Sequence, residues 1–528
     1  MNLVNVAGGA VLADIAQLDD AECLMAQRSA KAETLMRRVL DAAPDDVSAW
    51  YLLQHSLKLQ WRFDEALAAA NHGLALAQAL SPARPDYVAA MHMARSSLLH
   101  DLGQPAAALV AANEALRLEP DNDDFQINLA QARLLGGDWT GGFDLYQARW
   151  AARSKVTKDE GGPLPWPMWC GETPKAGDAL LVFSEGDSSD MLQFARELLA
   201  LRACFSRVTV LCQPATQRLL QHSLGSGIEC TVEPPTLARE RRLPSWQWHL
   251  PLISLPAIMA YTPQTLPQCV PFLFAEPDRA RAWGERFAQH EAAQGRRRLR
   301  VGLVWGDQML QSQQNDIERR RSVPLRLFAS MLARSDVLWV SLQQGPARLA
   351  DLAGVDAALH PLPWVAECGD FSDLAALAAN LDLVISADTA MAHLAGGLGR
   401  PVWLLNRFES EWRWLWRRED TPWYPTMRIF NQVRFGDWAE VLSRVELALD
   451  PLVNRHPEQD VAQARLAFET GAAQHAAGRF DQAETSYRQA LCLQPDLVDA
   501  ASGLAQLLRG QGRRHEADVY ARRGVMGA

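Results

Sequence analysis

Cysteine is sparse and scattered. The eight cysteines among 528 residues run from Cys23 to Cys492 with no Cys-x-x-Cys pair and no tight Cys/His cluster. That spacing excludes a disulfide framework or a zinc ribbon as the organising element, and no metal-ligand set is indicated. Excess positive charge is missing too: 52 Lys and Arg stand against 62 Asp and Glu, a net charge of −10. A chain so charged is not expected to bind nucleic acid through phosphate neutralisation. No stretch approaches the roughly 18 uncharged apolar residues of a membrane helix, so no membrane span is expected. Residues Met1 to Leu18 lack a basic n-region and already carry Asp14. No secretory signal is read there, and the expected location is cytoplasmic.

What is present is an ordinary globular balance, 48% hydrophobic and 22% charged, in a chain too long for one core. Several domains follow. The first 150 or so residues are rich in Ala and Leu and repeat similar phrases at the period of a helix-turn-helix solenoid. Trp61-Arg62-Phe63-Asp64-Glu65-Ala66-Leu67 returns as Leu102-Gly103-Gln104-Pro105-Ala106-Ala107-Ala108 and as Gly137-Asp138-Trp139-Thr140-Gly141-Gly142-Phe143. Each marks a turn between paired helices, and Pro120 ends the second helix of one unit. At the other end Gly471, Gly478-Arg479-Phe480, Ala483, Tyr487, Ala490-Leu491 and Pro495 carry a similar pattern, with a partial unit after it at Gly503, Gly512, Ala517 and Tyr520. Both blocks resemble the tetratricopeptide repeat.

Between them, short apolar runs alternate with helical segments, the signature of parallel βαβ units. Residues 179–183 and 207–211 read as strands of one half; 301–305, 337–342, 383–386 and 401–405 read as strands of a second. The expected layout is helical repeats over 1–151, a Pro- and Gly-rich linker over 152–175, Rossmann-like halves over 176–278 and 279–452, and further repeats over 460–528. In open parallel sheets ligands bind beyond the carboxyl ends of the strands, which directs attention to the residues just after each run.

The most informative of these is residues 382–401, which reads strand, turn, helix, strand. Asp388-Thr389 falls where the strand ends, so Thr389 is placed to cap the helix while the amides of Ala390 and Met391 point at an anion. His393 lies one turn further on the same face. The alternative is that Asp388 and Thr389 only cap the helix and His393 packs inside.

Together with Arg400-Pro401-Val402-Trp403-Leu404-Leu405, Trp412-Arg413-Trp414-Leu415 and the run from Arg418 to Pro425, this segment resembles the heptosyltransferase-like GT-B glycosyltransferases, in the branch fused to tetratricopeptide repeats that includes flagellin-modifying enzymes. The resemblance covers about residues 137–450. It implies an α/β GT-B fold flanked by all-α tetratricopeptide-type repeats and metal-independent transfer from a nucleotide-sugar, with no other cofactor. It further implies Asp388, Thr389, Ala390, Met391, His393, Trp305 and Gln344 on the donor side, Glu185 and His249 on the acceptor side, and Asp190 as general base. Two departures bear on activity. The family's Gly-rich turn stands here as Glu185-Gly186-Asp187-Ser188-Ser189-Asp190, and Gln344 replaces a common lysine that would offset a leaving diphosphate. Arg400, Arg407 or Arg413 are the substitutes to consider for that lysine.

Eighteen tryptophans are many, but their spacing reads as packing, and none is assigned to a substrate. The runs Arg296-Arg297-Arg298 and Arg319-Arg320-Arg321 read as solvated faces or interdomain contacts. The function expected is transfer of a sugar to a protein acceptor recruited by the repeats, flagellin being one such acceptor. The competing readings are an inactive GT-B scaffold or protein-binding module and a lipopolysaccharide sugar transferase.

Overall fold

Alternation of long helices with tight turns organises the first part of the chain. The computed structural model describes residues 25–150, 166–225, 227–232, 246–266, 270–306, 316–345, 349–454, 457–494, 497–514, 517–518 and 520–521. Helices α1 (Met25–Ala42), α2 (Val47–Leu59), α3 (Phe63–Ala79), α4 (Pro85–Asp101), α5 (Pro105–Leu118), α6 (Asp123–Leu135) and α7 (Trp139–Tyr146) pack as successive hairpins. Asp46, Asn122 and Asp138 cap α2, α6 and α7 with their side chains. The turn inside each hairpin needs one residue in the left-handed region. Gly103 (φ 69°) and Gly137 (φ 87°) supply it as glycines, whereas Trp61 adopts φ 63° with a bulky side chain. A non-glycine there is strained and persists only where its surroundings hold it.

The middle of the chain folds into two parallel sheets. The first contains β1 (Ala179–Phe183), β2 (Arg207–Leu211), β3 (Ile228–Thr231) and β4 (Trp248–Pro251) in the order β3-β2-β1-β4. The second contains β5 (Leu299–Val304), β6 (Val337–Ser341), β7 (Leu383–Ala387), β8 (Val402–Asn406) and β9 (Met427–Asn431) in the order β6-β5-β7-β8-β9. Central runs such as Leu-Leu-Val and Leu-Val-Ile-Ser-Ala are buried throughout because helices cover both faces of the sheet. Those helices are α8 (Ser188–Leu201), α9 (Pro214–Leu224), α10 (Pro277–Ala293), α11 (Phe371–Ala378), α12 (Ala390–Gly397) and α13 (Trp438–Val453). The architecture is GT-B-like, two Rossmann-like halves with helical repeats on either side.

One hydrophobic core runs without a break from the last N-terminal hairpin, through the first sheet and α8, to α12 and the tryptophan-rich segment after β8. Trp139 stacks on Trp423 with ring centroids 4.7 Å apart at 20°, and Phe194 of α8 meets the same Trp423 edge-on at 5.6 Å. Phe143 meets Trp412 at 5.6 Å and 89°. The two earlier hairpin turns dock on the second half as well. Trp61 and Phe63 pack against Phe435, and a Cβ on Gly103 would lie 2.7 Å from the ring of Phe408. The basic run 319–321 belongs to this junction. Arg320 is buried, pairs with Asp101 (2.8 Å) and Glu409 (3.4 Å), and lies over the rings of Phe63 and Phe435. Arg319 lies over Trp61.

The C-terminal helices α14 (Pro457–Ala476), α15 (Phe480–Leu493) and α16 (Val498–Gly510) have a separate core in which Tyr487 packs over Gly471 and Gly503. They also touch the segment linking the two halves, where the Tyr520 hydroxyl donates to the Val270 carbonyl at 2.9 Å.

Two outcomes follow from this packing. Trp139→Ala empties a fully buried site shared by three units and should cost about 3–5 kcal/mol in urea unfolding. A loss below about 1 kcal/mol would show that the stack does not weld the units. Truncation from about residue 460 onward should leave a soluble chain with an intact near-UV circular dichroism spectrum, because the removed helices carry their own core. An insoluble truncated chain would make these helices structural buttresses.

Candidate functional site

Strands β5 and β7 are neighbours although β6 separates them in sequence, so the connections leave the sheet in opposite directions there and a crevice opens beyond their carboxyl ends. Gly306 after β5, Gln343 and Gln344 after β6, and Thr389, Ala390 and Met391 after β7 line it, with Phe371 of α11. Gln343 fixes one wall. Its side-chain oxygen accepts from the amides of Trp305 and Gly306, both at 3.0 Å, and its amide nitrogen donates to the carbonyls of Gly306 (2.8 Å) and Gln344 (2.9 Å). The opposite wall is the start of α12. Thr389 holds the cap position, but its hydroxyl pairs with Ser386 at 3.2 Å and makes no cap bond. The expected side-chain cap is therefore absent, and among the described residues the first-turn amides of α12 have no side-chain acceptor at the crevice.

Two expected donor residues lie elsewhere. His393 is 2% exposed, stacked on Trp414 at 5.3 Å, with Nδ1 against the Tyr424 hydroxyl at 2.9 Å. Helix α8 of the first half covers the face on which His393 was expected to meet a ligand. Burial holds its pKa down to about 3, so the ring is neutral. Trp305 is likewise internal, its ring in the core on the outer side of the second sheet and its indole nitrogen donating to Asp351 at 3.1 Å. Only its backbone reaches the crevice. Asp388 stands largely buried at the end of β7, where its charge acts on both Glu411 and Arg413.

Asp190 sits in the first turn of α8. The helix is capped by Asp187, which accepts from the Ser189 amide at 2.7 Å, so one of the residues that replaced a glycine serves the helix start. A Cβ at Gly186 would lie 1.7 Å from the Asp190 carboxylate and would displace it. That carboxylate is not free: it forms an ion pair with Arg413 of the second half. Arg413 also donates to Gln193 (2.7 Å) and Glu411 (2.5 Å) and lies 4.4 Å above the Trp412 ring. Burial raises the pKa of Asp190 and of Glu411, opposed in each by Arg413. Burial also opposes the charge on Arg413, but Glu411 and Asp190 hold its pKa above the usual value.

The acceptor-side residues lie about the reversal between β1 and β4. Arg149, from the end of the N-terminal repeats, spans it by donating to Glu185 (2.7 Å) after β1 and to Ser254 (2.9 Å) after β4. His249 gives Nδ1 to the Trp166 carbonyl at 2.7 Å, while its buried Nε2 has no hydrogen-bond partner among the described residues. Burial lowers its pKa. Trp150 packs beside it and Phe183.

The structure thus gathers Thr389, Ala390, Met391 and Gln344 at one crevice, leaves Glu185 and His249 with separate partners near the β1/β4 reversal, sets Asp190 in an ion pair between the halves, and removes His393 and the Trp305 ring to the cores. Arg149, Gln193 and Glu411 were not foreseen. Each acts through a partner distant in sequence or through an unremarkable local turn, and no motif marks them.

No family model matches the chain. The protein FlbA of Caulobacter vibrioides (strain ATCC 19089 / CIP 103742 / CB 15) is 26% identical over 462 residues, 83% of this chain and 73% of FlbA. Among solved structures, a glycosyl transferase family 9 protein from Veillonella parvula overlaps 54% of this chain and 99% of its own, at 12% identity and a TM-score of 0.38. The E. coli ADP-heptose lipopolysaccharide heptosyltransferase II overlaps 51% of this chain and 99% of its own, at 15% identity and 0.35. An O-GlcNAc transferase from Thermobaculum terrenum overlaps 94% and 96%, at 17% identity and 0.27.

The burial of His393 has a measurable consequence. With an unfolded pKa near 6.5 and a folded value of about 3, the unfolded chain binds the extra proton between those limits. Stability is therefore full above pH 6.5 and falls as pH drops toward 3. His393→Phe keeps a ring against Trp414 and should flatten the melting temperature between pH 4 and pH 6.5 relative to the wild type. An unchanged slope would show that His393 is protonated in the folded state.

Proposed function

We propose that this chain transfers a sugar from a nucleotide-sugar to a protein acceptor. The observation that carries this reading is the crevice at the β5/β7 reversal, where, among the described residues, the amides of Ala390 and Met391 lack a side-chain cap and adjoin Gln344. Backbone amides at a helix start favour an anion such as a diphosphate without a metal, and a strand-order reversal is where open α/β sheets bind nucleotides. Asp388 and Thr389 set the rim, and no cofactor other than the sugar nucleotide is needed. Asp190, on the facing half, is the carboxylate that would take the proton from the acceptor hydroxyl as it attacks the anomeric carbon. The N-terminal repeats offer the acceptor a groove of about 330 Å³ between α2, α4 and α6, where Tyr51, Met93 and Phe125 adjoin Asn122 and Asn128. Apolar side chains beside amides suit an extended polypeptide, and flagellin is the acceptor to try first, in the cytoplasm.

A second reading, a GT-B-derived scaffold without activity, draws on the closed state of the site. The donor crevice measures about 30 Å³, Asp190 is tied to Arg413, and Arg149 spans the acceptor side. Small-molecule sites usually measure about 300–1,000 Å³, so donor binding requires the crevice to widen.

A thermal-shift panel of UDP-, GDP-, ADP-, dTDP- and CMP-sugars separates the two. A ligand that binds only the folded chain raises its melting temperature, and at least one member of the panel should do so. If the melting temperature stays fixed across the panel at millimolar ligand, the scaffold reading stands.

A further inference from the structure

Within the reading of a diphosphate-bearing donor, we propose that Arg413 is the phosphate-binding cation of the site and that Asp190 holds its guanidinium in place of the ligand's diphosphate until donor binds. Among the described residues, none of the side chains lining the crevice is charged, so an anion there meets amides and the Thr389 hydroxyl. Arg413 adjoins Trp414, whose ring stacks on His393 of α12, and the charge of Asp388, just before α12, acts on it. Its geometry is already set, by Gln193 on Nε, by Glu411 on Nη1, and by the Trp412 ring beneath. A fork held this way can take two oxygens of a phosphate.

Three carboxylates, Asp190, Glu411 and Asp388, share the field of this one guanidinium. A ligand phosphate adds negative charge to a region already rich in it, so a carboxylate must withdraw for the phosphate to gain. Glu411 is poorly placed to leave, because it lies two residues from Arg413 and also accepts from the Arg413 backbone amide at 3.0 Å. Asp190 reaches Arg413 across the boundary between the halves, and its hold ends when α8 moves. The exchange has a chemical result. A carboxylate paired with arginine is a weaker proton acceptor than one released from it, so arrival of the diphosphate at Arg413 makes Asp190 available as a base. Base strength is then coupled to donor occupancy, and the altered 185–190 turn becomes part of that coupling.

The test uses the full chain with ADP and UDP as probes, by isothermal titration calorimetry, with melting curves to show that each variant folds. Asp190→Asn leaves an amide oxygen for Arg413 but removes the competing charge, and should tighten nucleotide binding about tenfold. Arg413→Gln should weaken it about tenfold. If one variant does not fold, the other decides. An Asp190→Asn chain that binds no tighter than wild type, or an Arg413→Gln chain that binds as well as wild type, overturns the exchange while leaving the donor reading in place. Absence of nucleotide binding in the wild type and in both variants overturns the exchange and the donor reading together. Wild type silent with Asp190→Asn binding supports the exchange in its strongest form.

Discussion

The stack of Trp139 on Trp423 is the contact on which the arrangement of the whole chain depends. It joins the last N-terminal hairpin to the second Rossmann-like half, and Phe194 brings α8 of the first half onto the same indole. Large aromatic side chains contribute most of the burial at such junctions, and a ring shared by three units couples them more firmly than separate pairwise contacts. The last hairpin of the N-terminal repeats is in consequence part of the α/β unit's core rather than an appended module. Their earlier turns, through Trp61 against Phe435 and Gly103 beneath Phe408, extend the same seam along the second half. Holding Trp61 at a positive φ is explained by this seam, since the packing of its ring offsets the backbone strain.

The sequence discloses much of this architecture because its signals are local. The helical turns at 61, 103 and 137 are marked by recurring phrases, the strand at 179–183 coincides with a continuous apolar run, and that at 207–211 with a β-branched one. The strands not anticipated, β3, β4 and β9, all lie at sheet edges. Edge strands are covered on fewer sides and carry residues such as Glu229, His249 and Arg428, which interrupt the apolar run that identifies a central strand. The tryptophans of 412–423 read as packing, and Trp412, Trp414 and Trp423 are indeed buried. Which ring they meet depends on a hairpin almost three hundred residues earlier, and no local pattern encodes that.

The candidate site divides along the same line. The strand-turn-helix at 383–397 was legible, and with it the placement of Thr389, Ala390 and Met391 at the crevice. Helical spacing alone set His393 on the ligand face; the approach of α8, a tertiary event, turned that face into core. Asp190 was visible as a carboxylate after β1, but its partner lies 223 residues away and in the other half. Asp187 shows why a departure from a glycine-rich turn can be accommodated, since aspartate is a good N-cap and the position it holds begins a helix.

The end of the N-terminal repeats also limits how the two halves can move. Trp139 is fixed to the second half through Trp423, while ten residues later Arg149 is fixed to the first half through Glu185 and Ser254. Any parting of α8 from α12 must therefore pivot about residues 139–150, which bridge both halves from one side. The ion pair of Asp190 with Arg413 closes the boundary between them, and a buried ion pair contributes little net stability because desolvation offsets most of its attraction. Apolar packing around Trp139 supplies the strength of that junction. The end of the N-terminal repeats thereby bridges the two halves from one side.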